Sequence, residues 1–208
     1  MIRAVICDFG GVLTSPLIRG FLAYQEETGV GAEQLGTAMA RSSEEHGEHP
    51  LFELERGRIS EVEFGRRLEA HLEPGISLAR LSQLYFDHLE PNREMIELMA
   101  QLRARGLRMA MLTNNVREWE ARWRSLLPEL DDIFELVVDS AFVGMRKPEP
   151  EIYELTLERL GDVSAGECLF VDDLDVNCVA ARQVGMHAVR FEHNAQAIPE
   201  IARMLDSA

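Results

Sequence analysis

The sequence predicts a parallel, doubly wound α/β sheet, interrupted after its first strand by an all-helical block. Three observations carry that prediction. Short apolar runs alternate with helical patterns in the first residues and again from residue 92 onward. Residues 15–91 carry helical periodicity alone. Polar residues gather just beyond the apolar runs.

The expected strands are Ala4–Cys7, Arg108–Leu112, Leu136–Val138, Cys168–Val171 and His187–Phe191. Each is brief and most are rich in Val, Ile, Leu or Met, as parallel strands covered on both faces should be. Between them, Arg93–Arg105 sets Met95, Ile96, Met99 and Leu102 on one helical face and stops at Gly106, a C-terminal signal. Pro150–Leu160 ends before Gly161, Asp175–Val184 ends at Gly185, and Ile198–Leu205 closes the chain.

In the interrupting block the periodic stretches are Leu17–Thr28, Ala32–His46, Ser60–His71 and Leu78–His88, separated by Gly, Pro and acidic turns. Ser60 followed by Glu63 has the spacing of a capping box. The expected organisation is a catalytic core of residues 1–14 and 92–208. Residues 15–91 form a helical cap over the C-terminal edge of the sheet.

Composition narrows the function classes. Of 208 residues, 46% are apolar and 27% charged, and 21 bases against 36 acids leave a net charge of −15. That balance argues against nucleic acid or an anionic membrane as partner. A small anionic substrate would have to be attracted locally, by a metal or a few bases. Cys7, Cys168 and Cys178 are odd in number and make no CxxC pair, so a reducing compartment is expected. The stretch MIRAVICDF breaks at Asp8 before any signal-like apolar region, and no run approaches membrane-spanning length. A cytoplasmic protein, monomer or homodimer, is the expectation.

Ligands of open α/β sheets bind beyond the carboxyl ends of the strands. Asp8 follows the first strand, Thr113, Asn114 and Asn115 the second. The third leads through "SAFVGMRKPEP" to Lys147, and the fourth delivers Asp172 and Asp173, with Asn177 beyond. Asp8 has the chemistry of a carboxylate nucleophile. With Asp172 and Asp173 it supplies hard oxygen ligands suited to Mg²⁺. Thr113, nearby backbone N–H groups and Lys147 suit phosphoryl oxygens. Taken singly, Asp8 is a helix cap or turn former, the acidic pair a complement to a helix dipole, and Lys147 a surface lysine. Their ordered recurrence at strand ends is what points to chemistry.

These motifs resemble those of the haloacid dehalogenase-like hydrolases over essentially the whole chain. "VICDFGGVLT" resembles the motif ending in the nucleophile, here Asp8. "MLTNN" is similar to the second motif at Thr113, "GMRKPEP" to the third at Lys147, and "LFVDDLDVN" to the acidic fourth at Asp172 and Asp173. The resemblance implies a Rossmann-like core with an inserted helical cap. It implies a Mg²⁺-dependent phosphatase acting on a small phosphorylated metabolite through an aspartyl-phosphate on Asp8. Lys147 would be catalytic and phosphate-binding, with Thr113 and Asn114 beside it. The metal would be held by Asp8, the Gly10 carbonyl, Asp173 and Asp172, with Asp173 preferred as direct ligand.

The pattern departs from that family at one position. Most of its phosphatases carry a second Asp two residues after the nucleophile, whose backbone carbonyl binds the metal and whose side chain serves as acid and base. Here that residue is Gly10, which keeps the carbonyl and loses the carboxyl. Three readings follow. One is a phosphatase whose leaving group needs little protonation or receives it from water or the cap. "FELERGRISEVEF" is similar to sugar-phosphatase relatives of the glucose-1-phosphate phosphatase type, and epoxide-hydrolase N-terminal domains look related too. The second is a metal-independent 2-haloacid dehalogenase, against which the retained acidic pair argues by repulsion. The third is a catalytically weak binding module. Arg19, Arg41, His46, His49, Glu55 and Arg56 are the candidate cap contacts, His46 or His49 as proton donor. Trp119 and Trp123 are expected in core packing or a subunit contact.

Overall fold

A computed structural model describes residues 1–16 and 18–207 of the chain; Leu17, the expected first residue of the first helix, and Ala208 lie outside the described residues. The strands are β1 (Ala4–Cys7), β2 (Arg108–Thr113), β3 (Leu136–Asp139), β4 (Cys168–Asp172) and β5 (His187–Arg190). All neighbours pair in parallel, in the order β3-β2-β1-β4-β5. The chain runs outward from β1 through β2 to β3, then returns to the other side of β1. That reversal opens a crevice at the carboxyl ends of β1, β2 and β4, where such sheets bind ligands.

Alternation within β1 explains why every residue of it is apolar and buried. Val5 and Cys7 face a core that includes Met95, Met99, Trp123 and Ile201. Ala4 and Ile6 face the opposite core with Ile152, Tyr153, Cys178 and Ala181. Helices α6 (Arg93–Ala104) and α12 (Asn194–Ser207) supply the first layer, together with α7 (Glu120–Leu126) and α8 (Leu130–Ile133). Helices α10 (Pro150–Leu160) and α11 (Asp175–Gln183) supply the second, after the single turn of α9 (Ser140–Val143). Removing so much apolar surface from water, at about 25 cal/mol per Å², fixes the strand register on both faces.

Between β1 and α6 lie five helices: α1 (Ile18–Thr28), α2 (Ala32–His46), α3 (Pro50–Glu55), α4 (Glu61–Glu69) and α5 (Leu81–Asp87). They enclose a third core, with Tyr24, Leu35, Leu54, Phe64, Leu68 and Leu81 buried together. Ser60 caps α4, its hydroxyl accepting from the Glu63 N–H at 3.1 Å, as the Ser-x-x-Glu spacing predicts. The chain enters and leaves this block side by side. Thr14 and Pro91 form an isolated antiparallel bridge. Ser15 N–H donates to Glu90 O at 2.7 Å, and Asn92 N–H to Leu13 O at 2.8 Å.

The elements differ from expectation mostly at their ends. β2, β3 and β4 each run one residue further, onto Thr113, Asp139 and Asp172, because these polar residues still pair in the ladder. β5 stops at Arg190 rather than Phe191. The final helix begins at Asn194 and carries Pro199 within it. Ser60–His71 and Leu78–His88 shorten to α4 and α5, their ends turning instead of coiling. α3 has no counterpart among the expected helices. Its six residues are too few to show a period, and its one signal was Pro50 at the first turn. Among the described residues no helix is long and apolar enough to cross a membrane. All three cysteines are free and buried.

Candidate active site

The residues singled out at strand ends converge. Asp8 follows β1 directly, its N–H donating to Val171 O at 2.9 Å, so it sits beside Asp172 at the end of β4. Lys147 reaches the same point from the loop after α9. Its ammonium lies 2.7 Å from Asp8 Oδ1 and 2.6 Å from Asp172 Oδ2, and all three side chains are nearly sealed from solvent. Asp8 Oδ1 also accepts the Phe9 N–H at 2.8 Å. Oδ2 receives no hydrogen bond from the described residues. One carboxylate oxygen is thus held and the other is left without a donor among the described residues.

The acidic pair divides in role. Asp172 is fully engaged, Oδ2 by Lys147 and Oδ1 by the Leu174 N–H and the Asn177 side-chain amide, both at 2.9 Å. Asp173 is half-buried and holds no such set of donors. Its carboxylate stands against Gly11, where a Cβ would lie 2.5 Å from Oδ2. Gly11 has φ +78°, a conformation that disfavours any other residue. Position 11 therefore needs glycine twice over.

Charge at this point is unbalanced. One oxygen from each of Asp8, Asp172 and Asp173 lies within 4.8 Å of the others, with only Lys147 paired among them. Burial pushes the Asp8 pKa upward, with Lys147 opposing the rise and Asp172 adding to it. Burial and the Asp172 charge lift Asp173 to about 6. Burial alone would lower the Lys147 pKa, yet Asp172 and Asp8 outweigh it and hold the ammonium charged. Three hard-oxygen donors, two buried and one half-buried, with surplus negative charge fit a small divalent cation of the Mg²⁺ type. Gly10 is half-buried beside them, and its backbone carbonyl is a further oxygen of the same hardness.

Thr113 is buried at the end of β2, in register with Asp139. The Asn114 side chain is committed to the Lys147 backbone, accepting its N–H at 2.8 Å and donating to its carbonyl at 2.9 Å. It therefore fixes the loop that carries Lys147, and only its backbone is left for a ligand. Asn115 Oδ1 is bonded to the Val116 N–H at 2.9 Å.

Of the candidates in the helical block, Glu55 and Arg56 reach the core. Glu55 Oε2 accepts from Arg146 Nε at 2.6 Å, with both side chains about 15% exposed. Arg56 bridges Glu48 of its own block to Glu149 of the core. Burial raises the Glu55 pKa against the opposing charges of Arg146, Lys147 and Arg56. His49 stacks on Phe52 with ring centroids 4.5 Å apart. Arg19 pairs with Glu90 at the surface, and Arg41 and His46 are exposed; none of the three lines the cavity described next.

A cavity of 180 Å³ opens between the helical block and the strand ends, lined by Gly10, Glu55, Thr113 and Asn114 among others. Trp119 and Trp123 part company here. Trp123 is core, its ring 5.4 Å from Phe9, whereas Trp119 is on the cavity wall. Three residues that matter to the site carried no usable sequence signal. Arg146 is hidden beside Lys147, while Tyr85 and Trp119 are aromatic residues within amphipathic patterns.

A family model described as haloacid dehalogenase-like hydrolase matches residues 2–185. The chain belongs to the haloacid dehalogenase-like hydrolases. It is 29% identical to the sesquiterpene phosphatase astK of Aspergillus oryzae, over 98% of this chain and 96% of that protein. It is 27% identical to the bifunctional epoxide hydrolase 2 of Rattus norvegicus over 98% of this chain, which spans only 39% of that protein. Among solved structures, a HAD family enzyme from Bacteroides thetaiotaomicron in complex with magnesium and inorganic phosphate aligns with a TM-score of 0.72. The two are 21% identical over 95% of this chain and 99% of that one, a likeness of fold.

Proposed function

We propose that this hydrolase is a Mg²⁺-dependent phosphatase of small phosphate monoesters, working through an aspartyl-phosphate on Asp8. The observation that carries the reading is the Lys147 ammonium seated between Asp8 and Asp172, with Asp173 completing a three-carboxylate cluster. The phosphatases among its relatives, and the magnesium and phosphate bound in a structural neighbour, support it. In this reading residues 15–91 act as the cap of a core made of 1–14 and 92–208.

Asp8 Oδ2 attacks phosphorus while Lys147 holds Oδ1, and the bond from phosphorus to the ester oxygen breaks. Thr113 Oγ1, the Asn114 N–H and Lys147 take up the phosphoryl charge. Asp8, Asp173 and the Gly10 carbonyl would hold Mg²⁺, with Asp172 behind them. Bound there, the cation cancels the repulsion between an anionic nucleophile and an anionic substrate. The departing oxygen needs a proton, and Gly10 has none to give. We assign that role to Glu55, the carboxyl on the wall of the cavity that Gly10 also lines. Glu55 donates to the leaving oxygen, then as carboxylate accepts a proton from the water that cleaves the aspartyl-phosphate and releases inorganic phosphate.

The acidic pair disfavours a metal-independent dehalogenase, since two uncompensated carboxylates would repel the attacking one. The decisive measurement is phosphate release from p-nitrophenyl phosphate with Mg²⁺ or with EDTA, alongside Asp8→Asn. Release that needs Mg²⁺ and vanishes in Asp8→Asn is expected. Halide release from 2-haloacids without metal, in place of phosphate release, would overturn the reading.

A further inference from the structure

One wall of the cavity is aromatic and preassembled. Phe21 and Tyr85 have ring centroids 5.5 Å apart, Tyr85 and Phe86 5.2 Å, Tyr85 and Trp119 5.5 Å, and Phe86 and Trp119 5.4 Å. Edge-on and tilted rings at such spacings hold one another in place. Leu51 and Val116 extend the apolar surface.

Most of the wall is hydrocarbon, and part of its polar capacity is already spent within the protein. Glu55 is paired with Arg146, Asn114 with the Lys147 backbone, and Asn115 Oδ1 with Val116 N–H. Trp119 Nε1 is buried without a partner, and the wall's open polar atoms are few: the Thr113 hydroxyl, which the phosphatase reading gives to the phosphoryl group, the Tyr85 hydroxyl and the Asn115 side-chain amide N–H groups. No lysine, arginine or histidine lines the cavity. A sugar would bring several hydroxyls into this space, each costing about 1–3 kcal/mol if left without a hydrogen bond. An apolar group would lose nothing there and gain by leaving water.

We infer that the site takes monophosphate esters of compact apolar alcohols, with the hydrocarbon seated on the Phe21–Tyr85–Phe86–Trp119 wall and the phosphate against Asp8. This rests on the phosphatase reading and redirects it away from sugar phosphates. Size sets the limit. A cavity of about 150 Å³ takes a benzene ring, so 180 Å³ accommodates one ring or a short branched chain, about six or seven carbons. Longer chains would have to leave through the mouth.

The test has three arms. Acetyl phosphate has a small, weakly basic leaving group and reports on the core chemistry without filling the cavity. Benzyl and short branched-alkyl phosphates are compared with glucose 1-phosphate and glycerol 3-phosphate in the presence of Mg²⁺. A series of alkylphosphonates, which are not hydrolysed, is titrated calorimetrically. The expected result is a kcat/KM at least tenfold higher for the apolar esters. Phosphonate affinity should rise about threefold to fourfold per added methylene and then level off as the cavity fills. Equal or better turnover of the sugar phosphates, or an affinity flat along the series, while acetyl phosphate is still hydrolysed, overturns the substrate class alone. If acetyl phosphate is inert with Mg²⁺, the phosphatase reading falls and the substrate class falls with it.

Discussion

The carboxylate of Glu55 accepts a hydrogen bond from Arg146 at 2.6 Å across the boundary between the helical block and the sheet. Arg146 immediately precedes Lys147, so the contact ties the wall of the cavity to the loop that carries the ammonium. Arg146 also lies over the Phe52 ring at 4.0 Å, a cation–π contact that holds the guanidinium in place.

If Glu55 moves the proton, its loss should weigh on substrates by the basicity of their leaving oxygen. Glu55→Gln is expected to lower kcat for alkyl phosphates by about 10²–10⁴, and for acetyl phosphate by far less. A purely structural role would lower both alike. Gly10 shows no left-handed backbone, so a side chain there meets no strain of that kind. Gly10→Asp placed in the Glu55→Gln background should therefore recover part of the alkyl-ester rate.

Arg146 pulls the Glu55 pKa down against burial. Arg146→Met removes that pull, and the acid stays protonated to higher pH. The alkaline limb of kcat/KM for alkyl esters should move upward in pH, measurable as a shifted profile relative to wild type. An unmoved limb would separate Glu55 from the titrating group.

Gly11→Ala tests the cation cradle. Its Cβ would meet Asp173 Oδ2, and the positive φ adds strain of about 1–2 kcal/mol. We expect Mg²⁺ affinity, read by calorimetry, to fall at least tenfold. In wild type, Mg²⁺ at a hundred times its Kd should stabilise the fold by about 2.7 kcal/mol, and this thermal shift should shrink in the variant.

Asp139 offers a pH test away from the metal ligands. Its Oδ1 caps α9 by accepting the Ala141 N–H at 3.0 Å, while Oδ2 is buried without a partner. Burial lifts its pKa from 3.8 to about 6, with Glu120 adding to the rise and the Ala141 N–H, Arg124 and Arg117 opposing it. The folded state thus holds this proton more tightly than the unfolded one. Its contribution to stability is full below about pH 4 and is lost as pH rises through about 6. Relative to wild type, Asp139→Asn should therefore gain roughly 1–3 kcal/mol between pH 4 and pH 8. Denaturant midpoints at the two pH values decide it, and a constant difference would refute the linkage.

Much of this was legible from residue order alone. Buried parallel strands read as unbroken apolar runs, so β1 and β4 stood out. Asp8, Thr113 and Asp172 broke those runs at the points where the sheet meets solvent. The convergence of Asp8, Lys147 and Asp172 followed from strand order, which the motif order foreshadowed. The wall of the cavity did not show itself. Tyr85 and Trp119 meet only because α5 packs beside the segment after β2, and nothing local marks that encounter. Glu55 was one of six polar residues in the helical block with equal claims. It was set apart by the Arg146 contact, which joins residues 91 positions apart.

The bridge of Thr14 to Pro91 has a consequence for the length of the insertion. Because both crossings lie at one spot, the sheet closes the same way whatever length of chain departs there and returns. A segment of another length can depart and return there without changing the strand order. The segment that carries Glu55 and the sheet that carries Asp8 and Lys147 are joined by two short crossings and by ion pairs such as Arg146 with Glu55 and Arg56 with Glu149.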